Sequence, residues 1–350
     1  MSNQSLKAEA WTLYDEIVRQ ASTPGYSNPW HTDGAGQPRY RADYPTLQRL
    51  LGVPLLFKDE ATGKESASSQ SGVPALALDV WTAYELRRAG FDPDLVWPRA
   101  EPPRILPSTL VAMRALATAK QRKVLDEMLA SGKTYRDETG ASANILGKNY
   151  VKQVDVVMSA WRTGPEIMIS TKRMDSSFGK NAANRVEESY GDAKNLRSRH
   201  PQAALGFVYA LRSTALAPEN KATADWIIDL LGKLGREDDA YDAVALIIPE
   251  LPGPTSPEDD DDEENPLVAA GVVQPDPEDQ AVLLPLDLPP TQLERRLAEL
   301  PAIGLRQDAV PPNLSPDNFF QIIANRVLDH CPITFHRDAR DRREAANPDD

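Results

Sequence analysis

The sequence predicts an α/β fold in which a central mixed sheet is flanked by helices, giving three layers. Two observations predict it. Helical apolar periodicity gives way after about residue 130 to β-branched segments and then returns. The order from there is helix, strand, strand, helix, strand, helix, which is typical of a layered α/β domain. Hydrophobic residues make up 41% of the 350 residues, enough to bury a sizeable core.

The predicted core elements follow each other closely. Strands are predicted where β-branched or continuous apolar residues bounded by turn signals occur, and helices where the apolar spacing is three to four. The predicted strands are 150–160, 165–172 and 203–211, the predicted helices are 181–199 and 223–234, and residues 162–164 form a tight turn between the first two strands.

Helical additions are predicted on both sides of this core. The N-terminal ones cover 5–20 and 76–89 (with Gly90 as the C-cap glycine), and a long helix at 108–129 opens the core itself. The C-terminal ones cover 292–300 and 316–330, the second with Ser315 as N-cap. The predicted organisation is a mainly helical region (1–105), a core (106–248), an acidic Pro-rich linker (249–290) and a C-terminal helical segment with a disordered tail (291–350).

The linker contains the run EDDDDEE at 258–264, and like charges at that density repel each other. We therefore expect residues 249–290 to be disordered. The alternative is an acidic strand that mimics DNA and covers a basic groove, and the sequence leaves both interpretations open.

Charge is distributed unevenly along the chain. The net charge is −13, yet residues 101–216 contain 18 Lys and Arg against 11 Asp and Glu, a balance of +7, so the remainder has −13 − 7 = −20. A basic middle segment is expected where a chain meets a polyanionic partner, but also for a solvated helix surface in a mixed chain, and charge alone does not decide between the two. The single cysteine excludes an internal disulfide, and no N-terminal signal pattern or apolar run of about 20 residues occurs. These features predict a cytoplasmic protein that does not cross a membrane.

Charged side chains interrupt the first two predicted strands. Glu166, Ser170 and Lys172 alternate onto one face of 165–172, and Asp155 interrupts a run of valines in 150–160. Such groups are costly among apolar neighbours unless they are paired or functional. Hydrolysis of a phosphodiester needs a hard cation held by oxygen ligands and a positive charge near the reacting phosphate.

This chemistry assigns roles to the interrupting residues. Asp155 is the predicted ligand of Mg²⁺, with the Thr171 carbonyl and the Ser170 hydroxyl completing the shell. Lys172 is predicted to orient or help deprotonate the attacking water, or to stabilise the developing charge. A second carboxylate is still needed.

The order Asp155 … Ser170-Thr171-Lys172 on two successive strands resembles the PD-(D/E)xK nuclease superfamily, the fold of many restriction enzymes. Val154 stands where that family has proline, and Ser170 where it has an acid. A subgroup of restriction enzymes has Ser-x-Lys and takes its second acid from the following helix. The resemblance covers about residues 115–215 and implies a restriction-endonuclease-like core with catalytic residues Asp155, Ser170, Lys172 and an acid on that helix.

The resemblance also implies partners. It implies an Mg²⁺-dependent DNA endonuclease of restriction or phage-defence type, acting on double-stranded DNA. Because duplex cleavage needs two active sites, a homodimer is expected. A companion methyltransferase or defence-system subunit is implied by the same comparison.

Three glutamates are candidates for the second acid. With Val186 at 0° and steps of about 100° per residue, Glu187 lies at the edge of the apolar stripe and Glu188 faces solvent. We therefore expect Glu187→Ala to abolish cutting and Glu188→Ala to leave it intact. Glu166 is the third candidate ligand, on the strand itself.

Cationic residues around this region are candidates for contacts with DNA phosphates, which give affinity without sequence information. They are Arg162, Arg173, Lys180 and Arg185.

Two alternatives to an enzyme remain open. One is a non-catalytic DNA-binding or interaction subunit that retains a degenerate nuclease fold, as Ser170 in place of an acid would suggest. The other is a structural scaffold in which Lys172 pairs with Glu166. Zinc at His330, Cys331 and His336 is not expected, because the sequence offers no second ligand pair at a common zinc-site spacing.

Overall fold

The structure is a computed structural model that describes residues 3–57, 72–101, 104–130, 143–236, 240–253 and 288–348. Within these ranges the helices are α1 Asn3–Ala21, α2 Tyr44–Gly52, α3 Val73–Arg88, α4 Ser108–Leu116, α5 Ala119–Ala130, α6 Phe178–Arg199, α7 Lys221–Leu234, α8 Pro290–Ala298, α9 Pro316–His330 and α10 Arg337–Glu344. The strands are β1 Trp30–Thr32, β2 Pro38–Tyr40, β3 Val96–Trp97, β4 Ala143–Leu146, β5 Val151–Val154, β6 Val156–Ala160, β7 Gly164–Met174, β8 Ala204–Leu211, β9 Ala243–Ile247, β10 Pro249–Glu250, β11 Gly304–Leu305 and β12 Asn347–Pro348.

A mixed five-stranded sheet in the order β3-β6-β7-β8-β9 forms the centre of the fold. β6 pairs antiparallel with both β3 and β7, whereas β7, β8 and β9 are parallel to each other. Every residue of β8 is buried, as expected for a parallel strand covered on both faces. The predicted α/β class with a central mixed sheet is confirmed.

Helices cover both faces of this sheet and define two apolar cores. One core lies between the sheet and α1, α2, α3 and α9, and it includes Ile167, Ile169 and Val208. The other lies between the sheet and α6 and α7, and it includes Met168 and Phe207. Because neighbouring residues on β7 alternate between the cores, the strand alternation fixes which helix each β7 side chain meets.

The N-terminal region contributes to the central sheet. β3 is the edge strand beside β6, with Val96 opposite Met158, and α3 packs on β6 and β7. We expected residues 1–105 as an addition beside the core, but β3 and α3 belong to the layers of that core.

Two predicted elements are divided in the structure. The predicted helix 108–129 is two helices, because Ala117 is extended with ψ 144°. Thr118 and Gln121 then form a capping box: the Gln121 side chain accepts from the Thr118 amide at 3.0 Å, and the Thr118 hydroxyl accepts from the Gln121 amide at 3.4 Å. The predicted strand 150–160 is interrupted by a bend at Asp155.

The C-terminal segment packs onto the body, as predicted from its apolar face. Ser315 caps α9 by accepting the Asn318 amide at 3.2 Å. Phe319 lies over Gly206 of β8, where an added Cβ would meet its ring at 2.7 Å. A disordered tail was expected after α9, yet α10 follows, and Asn347 pairs in parallel with His31 of β1. Most of the predicted linker lies outside the described residues.

Gly90, two residues after the end of α3, packs against the backbone of α10. Its φ is +96°, and an added Cβ would lie 2.7 Å from the Ala339 Cα, so both backbone conformation and packing require glycine. We expect Gly90→Ala to lower the free energy of unfolding by about 2–4 kcal/mol, measured by urea denaturation. Gly164→Ala is the control: φ is +70° but the space is open, so it should cost only about 1 kcal/mol. Equal losses would show that packing against α10 contributes nothing.

Among the described residues, no helix is long and apolar enough to cross a membrane.

Candidate active site

Two carboxylates meet at one residue near the end of β7. The Thr171 amide donates to Asp155 Oδ2 at 2.7 Å, and the Thr171 hydroxyl donates to Asp79 Oδ1 at 2.5 Å. The next residue, Lys172, is half-buried and alternates onto the face of Ser170, opposite Thr171, but its positive charge still lowers the pKa of Asp79. We call Asp79, Asp155, Thr171 and Lys172 the Thr171 cluster. It brings together three residues predicted from sequence and one that was not.

Asp155 reaches Thr171 because the chain bends there. The antiparallel pairing of β6 with β7 begins at Val156 opposite Ile169, so Asp155 is the first residue beyond the ladder. Its neighbours Val154 and Val156 are buried in different cores. The bend frees the Asp155 carboxylate to turn toward the edge of β7, where it takes the amide that a continuing β6 would have paired.

Asp79 comes from α3 and was missed in the sequence. It lies in the run ALALDVW, where the side chains on either side, Leu78 and Val80, are buried, and Asp79 itself is only 8% exposed. Thr171 points toward α3 because it shares the face of Ile167 and Ile169. An acid within the apolar run at the start of α3 was the available signal, since burial of an unpaired carboxylate is costly. Its partner, 92 positions away, could not be inferred.

A buried acid network fixes the position of α3. The Glu85 side chain is fully buried and pairs with Arg88 at 2.7 Å. It also accepts the Asp43 amide at 2.7 Å and the Tyr40 hydroxyl at 2.9 Å. These bonds tie α3 to the segment between β2 and α2, and so fix the helix that presents Asp79.

The electrostatics of the Thr171 cluster favour a cation. Burial raises the pKa of the Asp79 carboxyl well above its usual value, and the nearby Asp155 raises it further. The hydrogen bond from Thr171 and the positive charges of Lys172 and Lys7 act in the opposite direction. A cation beside both acids would oppose the effects of burial and of Asp155, because it would stabilise the ionised carboxylates.

Ser170 takes part in a different contact. It is buried on the opposite face of β7 from Thr171 and forms a side-chain hydrogen bond with Tyr241. The Tyr241 hydroxyl in turn donates to the Ser189 carbonyl of α6 at 3.1 Å. The structure thus places the Ser170 hydroxyl between the sheet and α6 rather than on either carboxylate of the Thr171 cluster.

A polar face of α6 forms ion pairs with β5, the strand that precedes Asp155, and a hydrogen bond with the residue before that strand. Lys152 of β5 is 5% exposed at its side chain and pairs with Asp192 at 2.9 Å and with Glu188 at 3.7 Å. The Tyr150 hydroxyl also donates to Asp192 at 2.8 Å. Because β5 runs directly into the bend, these contacts help to fix where the Asp155 carboxylate lies.

Glu187 is exposed, contrary to the predicted orientation of α6. With Val186 at 0°, the buried Ser189, Asp192 and Leu196 lie at about 300°, 240° and 280°. Glu188, at about 200°, is the acid beside the buried side, and Glu187 at about 100° faces away. The prediction assumed that an apolar stripe marks the buried face, but polar residues here are buried against Lys152.

Glu166 lies about 17 Å along β7 from Thr171, five residues earlier. Its carboxylate interacts with His336 at 2.8 Å and accepts the Thr163 hydroxyl at 2.7 Å. The structure therefore brings it neither to Asp155, as a shared ligand would require, nor to Lys172, as the scaffold hypothesis requires.

Two of the four predicted phosphate contacts have described side chains, and both of these contact other residues of the protein. Arg162 is exposed at the turn before β7 and stacks on Phe335, 4.6 Å from the ring centre. Arg173 is nearly buried and pairs with Asp175 at 2.6 Å. The side chains of Lys180 and Arg185 lie outside the described residues.

Comparison of the chain with protein-family models, with curated proteins and with solved structures finds no match.

Proposed function

We propose that this protein is a Mg²⁺-dependent endonuclease that hydrolyses phosphodiester bonds in double-stranded DNA, with the Thr171 cluster as its active site. The observation that supports it best is that Asp79 and Asp155 both bind Thr171 beside Lys172. Asp79 supplies the second carboxylate that the sequence pattern lacked. The acid on the following helix, Glu187, is then not needed as a ligand.

The donors fit Mg²⁺. Mg²⁺ prefers oxygen ligands and binds through one or two carboxylates while keeping several waters. Asp79 and Asp155 provide the carboxylates, and the Thr171 carbonyl is the third proposed ligand. When bound, the ion supplies Lewis-acid polarisation of the phosphate and lowers the pKa of a coordinated water. Such an ion would stabilise the ionised forms of both carboxylates.

The chain's own groups perform the remaining tasks. The Lys172 ammonium orients the attacking water and stabilises the charge that develops on the phosphate oxygens. The water oxygen forms a bond to phosphorus, its proton passes to solvent or to a phosphate oxygen, and the bond from phosphorus to the leaving oxygen breaks. The Thr171 amide and hydroxyl hold both carboxylates in place during this exchange.

One observation favours a second function. The Ser170 hydroxyl is hydrogen-bonded to Tyr241 between the sheet and α6, so it does not complete the metal shell as the sequence pattern predicted. A non-catalytic subunit that binds DNA through a degenerate nuclease fold is therefore the second candidate. A homodimer, and a companion methyltransferase or defence-system subunit, belong to the proposed enzyme as partners.

The test is cleavage of supercoiled plasmid by the purified protein. We expect nicked and linear products with Mg²⁺, none with EDTA, and recovery when Mg²⁺ is restored in excess. Gel-shift measurements on the same duplex in Ca²⁺ report binding separately. Binding without cleavage in Mg²⁺ or Mn²⁺ supports the non-catalytic subunit. If the protein neither binds nor cleaves DNA, both functions are contradicted.

A further inference from the structure

A second group of potential ligands lies away from the Thr171 cluster. Glu166 near the start of β7, Cys331 directly after α9 and His336 at the N-cap of α10 place one ligand atom each within 4.8 Å of one another. Both His336 Nε2, at 2.8 Å, and Cys331 Sγ, at 3.4 Å, contact Glu166 Oε2. We call these three residues the Glu-Cys-His cluster.

The donor set indicates which metal would bind. A thiolate and an imidazole beside a carboxylate suit Zn²⁺ and related transition metals, whereas Mg²⁺ prefers oxygen alone. At the usual bond lengths, a tetrahedral zinc ion separates such ligand atoms by about 3.3–3.6 Å. The Cys331 Sγ separation of 3.4 Å from Glu166 Oε2 matches that spacing, and the His336 Nε2 separation of 2.8 Å is shorter than it by about 0.5 Å.

The surroundings fix these side chains independently of any ion. His336 has φ +52°, a conformation that is uncommon for a residue other than glycine and is typical of functional positions. Its ring packs edge-on against Phe91, with centroids 5.3 Å apart. The Thr163 hydroxyl donates to the other oxygen of Glu166 at 2.7 Å, the kind of outer contact that orients metal-binding carboxylates.

The backbone next to Cys331 is held in a similar way. Arg340 donates to the Cys331 carbonyl at 2.9 Å, which joins the end of α9 to α10. Because the three side chains come from β7 and from both sides of the α9–α10 connection, one ion would link the C-terminal segment to the central sheet.

A cysteine-histidine nucleophile does not fit this geometry. A base that activates a thiol lies between that thiol and the acid that orients it. Here the acid is central: Glu166 Oε2 contacts both Cys331 Sγ and His336 Nε2.

We propose that Glu166, Cys331 and His336 bind one Zn²⁺-class ion, with the fourth position taken by water, separately from Mg²⁺ at the Thr171 cluster. His330 is outside this site, because its Nδ1 contacts the Arg326 carbonyl at 2.8 Å. The sequence pattern of His330, Cys331 and His336 thus contains two of the ligands, and the third comes from β7.

The test is Co²⁺ and Zn²⁺ binding to the metal-stripped, reduced full-length protein. We expect one Co²⁺ per chain with a thiolate-to-cobalt charge-transfer band, displaced by Zn²⁺ and unaffected by excess Mg²⁺. Cys331→Ser should abolish the band, and His336→Ala should weaken binding by about 10²-fold or more. His330→Ala is the matched control and should bind as the wild type does.

Thermal unfolding without metal shows whether each variant is folded. Zn²⁺ at a hundredfold excess over its Kd should raise the Tm of the wild type and of His330→Ala by about 5 °C, and should leave that of Cys331→Ser unchanged. A wild type that binds Co²⁺ without the band overturns the proposal, as does one in which His330→Ala and Cys331→Ser behave alike. Plasmid cleavage is not part of this readout, so the nuclease proposal stands or fails independently.

Discussion

Lys172→Ala is expected to reduce Mg²⁺-dependent DNA cleavage about 10³-fold while leaving the fold intact. Lys172 directly follows Thr171, whose amide and hydroxyl bind the two carboxylates, and its charge acts on Asp79. Removing a group that stabilises developing charge costs two to three orders of magnitude in rate. Single-turnover cleavage of a supercoiled plasmid with enzyme in excess measures this effect without interference from product release.

The control for this variant is Lys221→Ala. Lys221 is an exposed lysine of α7 that pairs with Asp225 at 2.7 Å, so the same charge is lost far from the chemistry. We expect its cleavage rate to match that of the wild type. If Lys172→Ala cuts within about threefold of the wild type under single-turnover conditions, Lys172 has no catalytic role.

Asp79→Asn is expected to separate stability from activity. Cleavage should fall about 10²-fold or more, because Mg²⁺ loses one of its two carboxylates. The metal-free variant should nevertheless be about 1–2 kcal/mol more stable than the wild type at neutral pH. Asparagine retains an oxygen that accepts the Thr171 hydroxyl but adds no second negative charge beside Asp155. Urea denaturation in EDTA and plasmid cleavage in Mg²⁺ measure the two effects.

The pH dependence of this gain follows from the direction of the Asp79 pKa shift. Burial and Asp155 raise the pKa of Asp79 in the folded protein, so the folded state holds this proton more tightly than the unfolded state does. The metal-free wild type therefore loses stability as the pH rises from the unfolded pKa, about 3.9, toward the higher folded pKa. Asp79→Asn does not lose stability in this way. The difference in free energy of unfolding between the variant and the wild type should therefore grow across that pH window and then remain constant.

Asp225→Asn is the matched control, since Asp225 is an exposed carboxylate on α7. This variant should change the free energy of unfolding by no more than about 0.5 kcal/mol, and its cleavage rate should match that of the wild type. A destabilised Asp79→Asn protein would show that the buried carboxylate is already neutralised by Lys172 and Lys7. It would thereby remove the electrostatic reason for placing a cation there.

Local patterns were sufficient for much of the fold. The apolar run of β8 and the cap of α9 at Ser315 each have a physical cause within a few residues, and both are found as predicted. The break at Ala117 also had a local signal, the capping box of Thr118 and Gln121, which a continuous apolar spacing concealed. β3 was missed because two residues show no periodicity, and β9 because an apolar run of five residues cannot be assigned to a strand by periodicity alone.

The same reasoning from local patterns predicted part of the candidate site, but not Asp79. Asp155 and Lys172 stood out because charge interrupts short apolar strands, and they do approach the same acid, Asp79. Asp79 likewise interrupts an apolar run, but in a helix rather than in a strand. Its pairing with Thr171 depends on α3 lying across β7, a tertiary contact that no spacing encodes. The orientation of α6 was misjudged because hydrogen-bonding residues, not apolar ones, face Lys152.

The packing of Phe319 on Gly206 has a consequence for the order of assembly. The core beneath α3 is closed by α9, which is translated more than two hundred residues after Asp79. A nascent chain that ends before residue 315 lacks the aromatic side chains that cover this face, so the helix bearing Asp79 has an incomplete apolar support. Synthesis of α9 would thus set the moment at which both acids can be held together.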